Sequence, residues 1–180
     1  MPGFFCPCFC MACKLKHITP CRLSPPGILR IALLEHEDLQ GIAFEGLALI
    51  SSIQRVAEFT ELVASSGAKY SVQEVAGGFL HTLETHVASM APEVTEELWK
   101  ATKKDFFVLF VNGAGETSAF GYDSPATLTY QGGTEEGAGY TVTLTCSSKY
   151  PTLGAIPSAI EWKARAKWVP DFENGAFCTY

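Results

Sequence analysis

The chain has 180 residues, of which 47% are hydrophobic and 18% charged, and a formal net charge of −6. That is enough chain for one domain with its own core, and too apolar for long disorder. Residues 31–148 carry 16 acids and 5 bases, a net of −11, which excludes a middle that grips phosphates but suits a solvated acidic surface or one over which nucleic acid slides without sticking.

The first 27 residues form an arm, rich in Cys and Pro and ending in Ser24-Pro25-Pro26-Gly27. It carries Lys14, Lys16 and Arg22 and no acid. Its apolar start lacks a basic n-region, and its cysteines and prolines break any apolar h-region, so it is a poor signal peptide. No stretch reaches the roughly 20 apolar residues that a spanning helix needs, so no membrane partner is expected and the setting reads as soluble and intracellular where the chain is made.

Five of the seven cysteines fall in this arm: Cys6, Cys8, Cys10, Cys13 and Cys21. Such a cluster can bind zinc or another soft metal, form disulfides, or stay reduced in an arm held by neighbours. It contains one C-x-x-C, Cys10 to Cys13, where a structural zinc site wants two. The reading taken is the reduced arm, with no metal or cofactor.

Residues 28–35 read as a strand with Leu29, Ile31 and Leu33 on one face. Residues 42–51, broken by Gly46, fit a strand or a buried helical turn. Residues 55–64 alternate, with Val56, Phe59 and Val63 among charges, and read as a strand. Residues 69–75 and 79–88 flank a Gly77-Gly78 break, with Phe79, His81, Leu83, Thr85 and Val87 on one face. His81 and His86, five apart in that strand, point to opposite faces and cannot share a metal.

Residues 92–104 read as a helix. Pro92 suits the first position, and glutamates fill the first turns while Lys100, Lys103 and Lys104 fill the last. Val94, Leu98 and Ala101 form its buried stripe, and Glu96 with Lys100 an i,i+4 pair.

Residues 106–111 (FFVLFV) are apolar on both faces, as in a central strand. Asn112-Gly113 opens a turn, and residues 116–122 return as a hairpin. Residues 126–131 set Leu128 and Tyr130 opposite Thr127 and Thr129. A loop at 132–139 carries Glu135 and Glu136. Residues 140–146 then alternate without a fault: Tyr140, Val142, Leu144 and Cys146 face one way, Thr141, Thr143 and Thr145 the other. A threonine face suits a contact surface, a wet lumen or open solvent. Residues 149–180 read as a C-terminal arm in which Trp162 and Trp168 bracket a basic run, as anchors on a neighbouring subunit or as a nucleic-acid contact.

None of G-x-S-x-G, H-E-x-x-H or G-x-x-x-x-G-K-[ST] occurs, and no enzyme activity is expected. The fold expected is mainly β, a β-sandwich or barrel over residues 28–148 with one flanking α-helix and extended N- and C-terminal arms. The order of elements, with VAEFTELVASSGAKYSVQEV, EVTEELWKATKKD, FFVLFVNGAGETSAFGYD and GAGYTVTLTC, resembles tail-tube-like virion proteins of tailed bacteriophages, of the Bacteroidetes phage and prophage type. The likeness covers roughly residues 21–150 and is one of order and texture.

It implies a structural protein made in the bacterial cytoplasm and built into the phage tail. Its partners would be copies of itself, in hexameric rings stacked into a tube that conducts DNA without specific binding, and other tail or neck proteins. The self-assembly candidates are Thr141, Thr143, Thr145, Glu135, Glu136, Trp162 and Trp168. The dense cysteines and the tail past Cys146 depart from that pattern. The alternatives are another ring component of the tail or neck, such as a terminator, and a Cys-rich metal- or redox-linked binding module.

Overall fold

The structure, a computed structural model, describes residues 27–63, 66–133 and 138–156. The five N-terminal cysteines, Glu135, Glu136, Trp162 and Trp168 lie outside them. The described residues are mainly β, with one α-helix. The strands are β1 (Ile28–Glu35), β2 (Leu39–Glu45), β3 (Leu49–Arg55), β4 (Thr60–Leu62), β5 (Ser66–Val75), β6 (Gly78–Val87), β7 (Asp105–Asn112), β8 (Thr117–Phe120), β9 (Ala126–Gly133), β10 (Gly139–Ser148) and β11 (Leu153–Ala155). Helix α1 (Pro92–Ala101) separates β6 from β7. Among the described residues, no helix is long and apolar enough to cross a membrane.

The two most apolar segments explain the architecture. β1 and β7 pair antiparallel over nearly their whole lengths, Glu35 opposite Phe106 and Ile31 opposite Phe110. Their side chains alternate between two cores, so both strands are buried on both faces. Ile31, Leu33, Phe106, Val108 and Phe110 enter one core, and Ala32, Leu34, Phe107 and Leu109 the other.

The first core is the inside of a barrel. From β7 the hydrogen-bonded circuit runs through β9, β10, β6 and β5 and returns through β1. Leu83, Leu128, Val142 and Leu144 fill it, and Val94 and Leu98 of α1 pack into the same core. The second core lies outside the β1–β7 pair, where β8, β11 and β3 add Ala119, Leu153, Ala155 and Ile50. The result is a barrel with a second β layer laid over one side.

The helix starts at Pro92 as expected and ends at Ala101, earlier than residue 104. The amides of Lys103 and Lys104 turn back onto the carbonyls of Lys100 and Ala101 in a tight final turn. Lys104 then reaches the Glu35 carboxylate at the end of β1. Val94 and Leu98 are buried, and the Glu96–Lys100 pair forms on the solvent side.

Leu29 departs from the expected face and is 61% exposed. The β1–β7 register slips between Ile28 and Arg30, making Leu29 the extra residue of a bulge that turns it outward. The ambiguous stretch 42–51 is a hairpin between β2 and β3, with Gly46 turning it at φ +76°. Within 55–64, Arg55 ends β3, and the short β4 is the one further strand among the described residues. Val56 and Val63 are exposed, while Phe59 packs on the second core beneath the Arg55 guanidinium, 4.7 Å from its ring centre. The loop at 132–139 is shorter than expected, because β9 runs to Gly133 and β10 starts at Gly139.

The domain also runs past residue 148. β11 lies within what reads from sequence as a terminal arm, yet it pairs antiparallel with β8 and parallel with β3. Its pattern is too short to show periodicity, and its burial comes from Leu153 and Ala155 filling the second core.

Candidate assembly surface

The barrel wall formed by β9, β10, β6 and β5 has one apolar side, facing the core, and one polar side. Register places the polar side chains in rows across the four strands. Thr127, Thr145, Thr82 and Ser71 make one row, and Thr129, Thr143, Glu84 and Lys69 the next. Gln131, Thr141 and His86 make a third. β-branched residues favour this pleated geometry, so the pattern that forms the strands also lays down the surface.

Thr127 and Thr145 hydroxyls lie 3.3 Å apart across the pair, and Thr129 Oγ1 donates to the Thr143 carbonyl at 3.4 Å. Thr141, Thr143 and Thr145 are thus brought together on one half-exposed face of β10. Its threonines and Ser71 are short side chains with little rotamer entropy to lose, and Glu84 opposite Lys69 leaves the charge near balance. Such a surface can accept a flat partner surface without stranding a charge.

The described histidines are spread apart. His86 is on the polar face, His81 is fully buried on the core side, and His36 Nε2 is 3.0 Å from the Tyr122 carbonyl. Among the described residues no group of three or more potential metal ligands occurs.

The structure does bring together one pair that the sequence does not single out. Cys146 of β10 is directly opposite His81 of β6. The ring nitrogens of His81 are both engaged elsewhere: Nδ1 is 2.7 Å from the Tyr70 hydroxyl, and Nε2 is 3.0 Å from the Tyr150 carbonyl. The thiol donates to the Ser124 carbonyl at 2.8 Å, and burial, with the Asp123 charge nearby, pushes its pKa up to about 11. A protonated thiol bonded to a carbonyl is a core group and a poor nucleophile. Tyr70 further meets Thr152 Oγ1 at 2.6 Å. Only pairing of β5, β6 and the 149–152 segment makes this cluster, and no local pattern announces it.

Thr85, also on the core side of β6, has a buried hydroxyl with no hydrogen-bond partner among the described residues. Thr85→Val replaces that hydroxyl with a methyl of similar shape. It is expected to raise stability by about 1 kcal/mol, read as a higher urea midpoint at unchanged slope.

No family model, curated protein or solved structure matches the chain.

Proposed function

We propose that this chain is a non-catalytic structural subunit that assembles with copies of itself, as a phage tail-tube-like ring protein does, around a lumen that passes DNA. The observation that carries the reading is the four-stranded polar face, in which threonines of β9, β10 and β6 stand in register. Six threonines, Thr82, Thr127, Thr129, Thr141, Thr143 and Thr145, give it a uniform, weakly charged surface suited to contact with a neighbouring subunit. The acidic middle of the chain supports the DNA-conducting part of the reading, since a net negative wall does not hold phosphates. Place in the virion, hexameric ring number and contacts with other tail or neck proteins follow from the resemblance and belong to the same proposal.

Negative-stain microscopy of the purified chain, with sedimentation over a concentration series, tests it. Rings or periodic tubes that grow with concentration are expected. A monodisperse globule at the highest concentration would overturn the assembly reading, and small closed rings that never stack would replace the tube with a neck-type component.

A further inference from the structure

After β10 the chain passes over the buried His81 and then enters the sheet as β11. That path is tied down at successive points. Asp123 accepts from the Ser148 hydroxyl at 2.5 Å and from the Lys149 amide at 2.8 Å. The Tyr150 carbonyl lies on His81 Nε2, and the Thr152 hydroxyl on Tyr70. Past these contacts, the Gly154 and Ile156 amides donate to the Ala48 and Ile50 carbonyls, each at 2.9 Å. Among the described residues, in the sheet order β2–β3–β11–β8, this three-residue strand joins the β2–β3 hairpin to the rest of the sheet.

The direction of each hydrogen bond follows from the Tyr150 carbonyl, which can only accept. His81 Nε2 must therefore carry a proton, Nδ1 of the neutral ring accepts from Tyr70, and Tyr70 accepts from Thr152. A second proton on the ring would sit on Nδ1, facing the hydroxyl that now donates to it. The whole chain would have to reverse, turning the Thr152 proton away from its partner, and the new charge would be fully buried, its stacking on Phe120 at 5.4 Å and 3° offsetting only part of the desolvation. Solvent protons have a route, because Tyr70 and Thr152 line an open cavity of about 680 Å³ together with Ile28, Phe110 and Ser118.

We propose that residues 149–156 are a releasable clip latched by His81, and that protonating this ring in mild acid reverses the Thr152–Tyr70–His81 chain, loosens β11 from its slot between β8 and β3, and frees the β2–β3 hairpin. The proposal does not depend on the assembly reading.

The groups around the ring leave His81 as the titrating member. Tyr70 from β5 is pushed up by burial, and Cys146 from β10 to about 11, so both stay protonated. Asp123, from the β8–β9 connection, is pushed up by its own burial but held below the usual carboxylate range by the Lys149 amide and Ser148 hydroxyl, so it stays ionised. Lys149 on the clip is exposed and cationic. Burial lowers the His81 pKa against the opposing pull of the Tyr150 carbonyl and the Asp123 charge. A lowered histidine pKa means that the unfolded chain takes the proton more readily. The latch is at full strength above about pH 6.5 and weakens as pH falls towards the folded value.

Hydrogen exchange read by mass spectrometry on the full chain tests this, comparing protection factors at about pH 7.5 and about pH 5. Peptides covering 149–156 and 39–55 are expected to lose about tenfold or more protection in acid, while β6 and β10 hold theirs. In His81→Gln, whose amide can both accept from Tyr70 and donate to Tyr150, the acid response should vanish. Should that variant misfold, Tyr70→Phe serves: it removes the hydroxyl facing Nδ1 and should shrink the acid response. Wild-type protection that is constant with pH, or an acid loss undiminished in the variants, would overturn the proposal.

Discussion

Phe107→Ala is expected to lower the free energy of unfolding by about 3–5 kcal/mol. Phe107 is the largest of the fully buried side chains, and it projects from the middle of β7 into the second core. The loss includes the transfer energy of the ring and the cavity it leaves. Collapse is hindered because β7 is paired on both sides, with β1 along one edge and with β8 and β9 along the other. Against a typical total of about 5–15 kcal/mol, the change removes a large share of the stability. Urea titration measures it, and Val56→Ala is the control, since Val56 is 70% exposed and should cost under about 0.5 kcal/mol. A loss under about 1 kcal/mol for Phe107 would mean that the second layer is not packed on β7 as described.

Thr145→Arg tests the polar face from the other direction. Thr145 sits between Thr127 and Thr82, with no carboxylate directly opposite to receive a guanidinium. The free subunit should tolerate the change, because the face is half exposed and only the 3.3 Å contact with Thr127 is lost. In an assembled interface the new charge must be desolvated without a partner. Self-association is expected to weaken at least about a hundredfold. Glu97→Arg, on the exposed side of α1, places a guanidinium elsewhere with an even larger change in net charge, +2 against +1, and should assemble normally. Thr145→Arg that assembles as well as wild type would remove this face from the interface.

What could be read in the sequence was whatever is set by neighbours along the chain. The run at 106–111 has to be buried on both sides, and α1 declares itself through Pro92, its charge gradient and the Val94–Leu98 stripe. The alternation at 140–146 fixes both faces of β10, and with them the positions of Thr141, Thr143 and Thr145. What could not be read depends on partners far off in sequence. The bulge at Leu29 exists only relative to β7. Residues 42–51 carry too little period to separate a helical turn from a hairpin, and the turn at Gly46 decides it. β11 is a strand because β3 and β8 leave a slot of its length, and the Tyr70–His81–Thr152 cluster gathers three separate segments. Glu135, Glu136, Trp162, Trp168 and the five N-terminal cysteines remain expectations outside the described residues.

The parallel pairing of β11 with β3 also orders events during synthesis. Gly154 pairs with Leu49, 105 residues earlier, and β1 waits for β7 across a comparable span, Ile28 finding Asn112. A ribosome that has released residues 28–104 has given β1 its partners β4 and β5 but not β7, along which it pairs over nearly its whole length. The barrel can close only after β10 emerges, and the second layer only after β11. Such long loops make slow folding the natural outcome, with nascent β1 and β3 as the segments most in need of shielding by a chaperone.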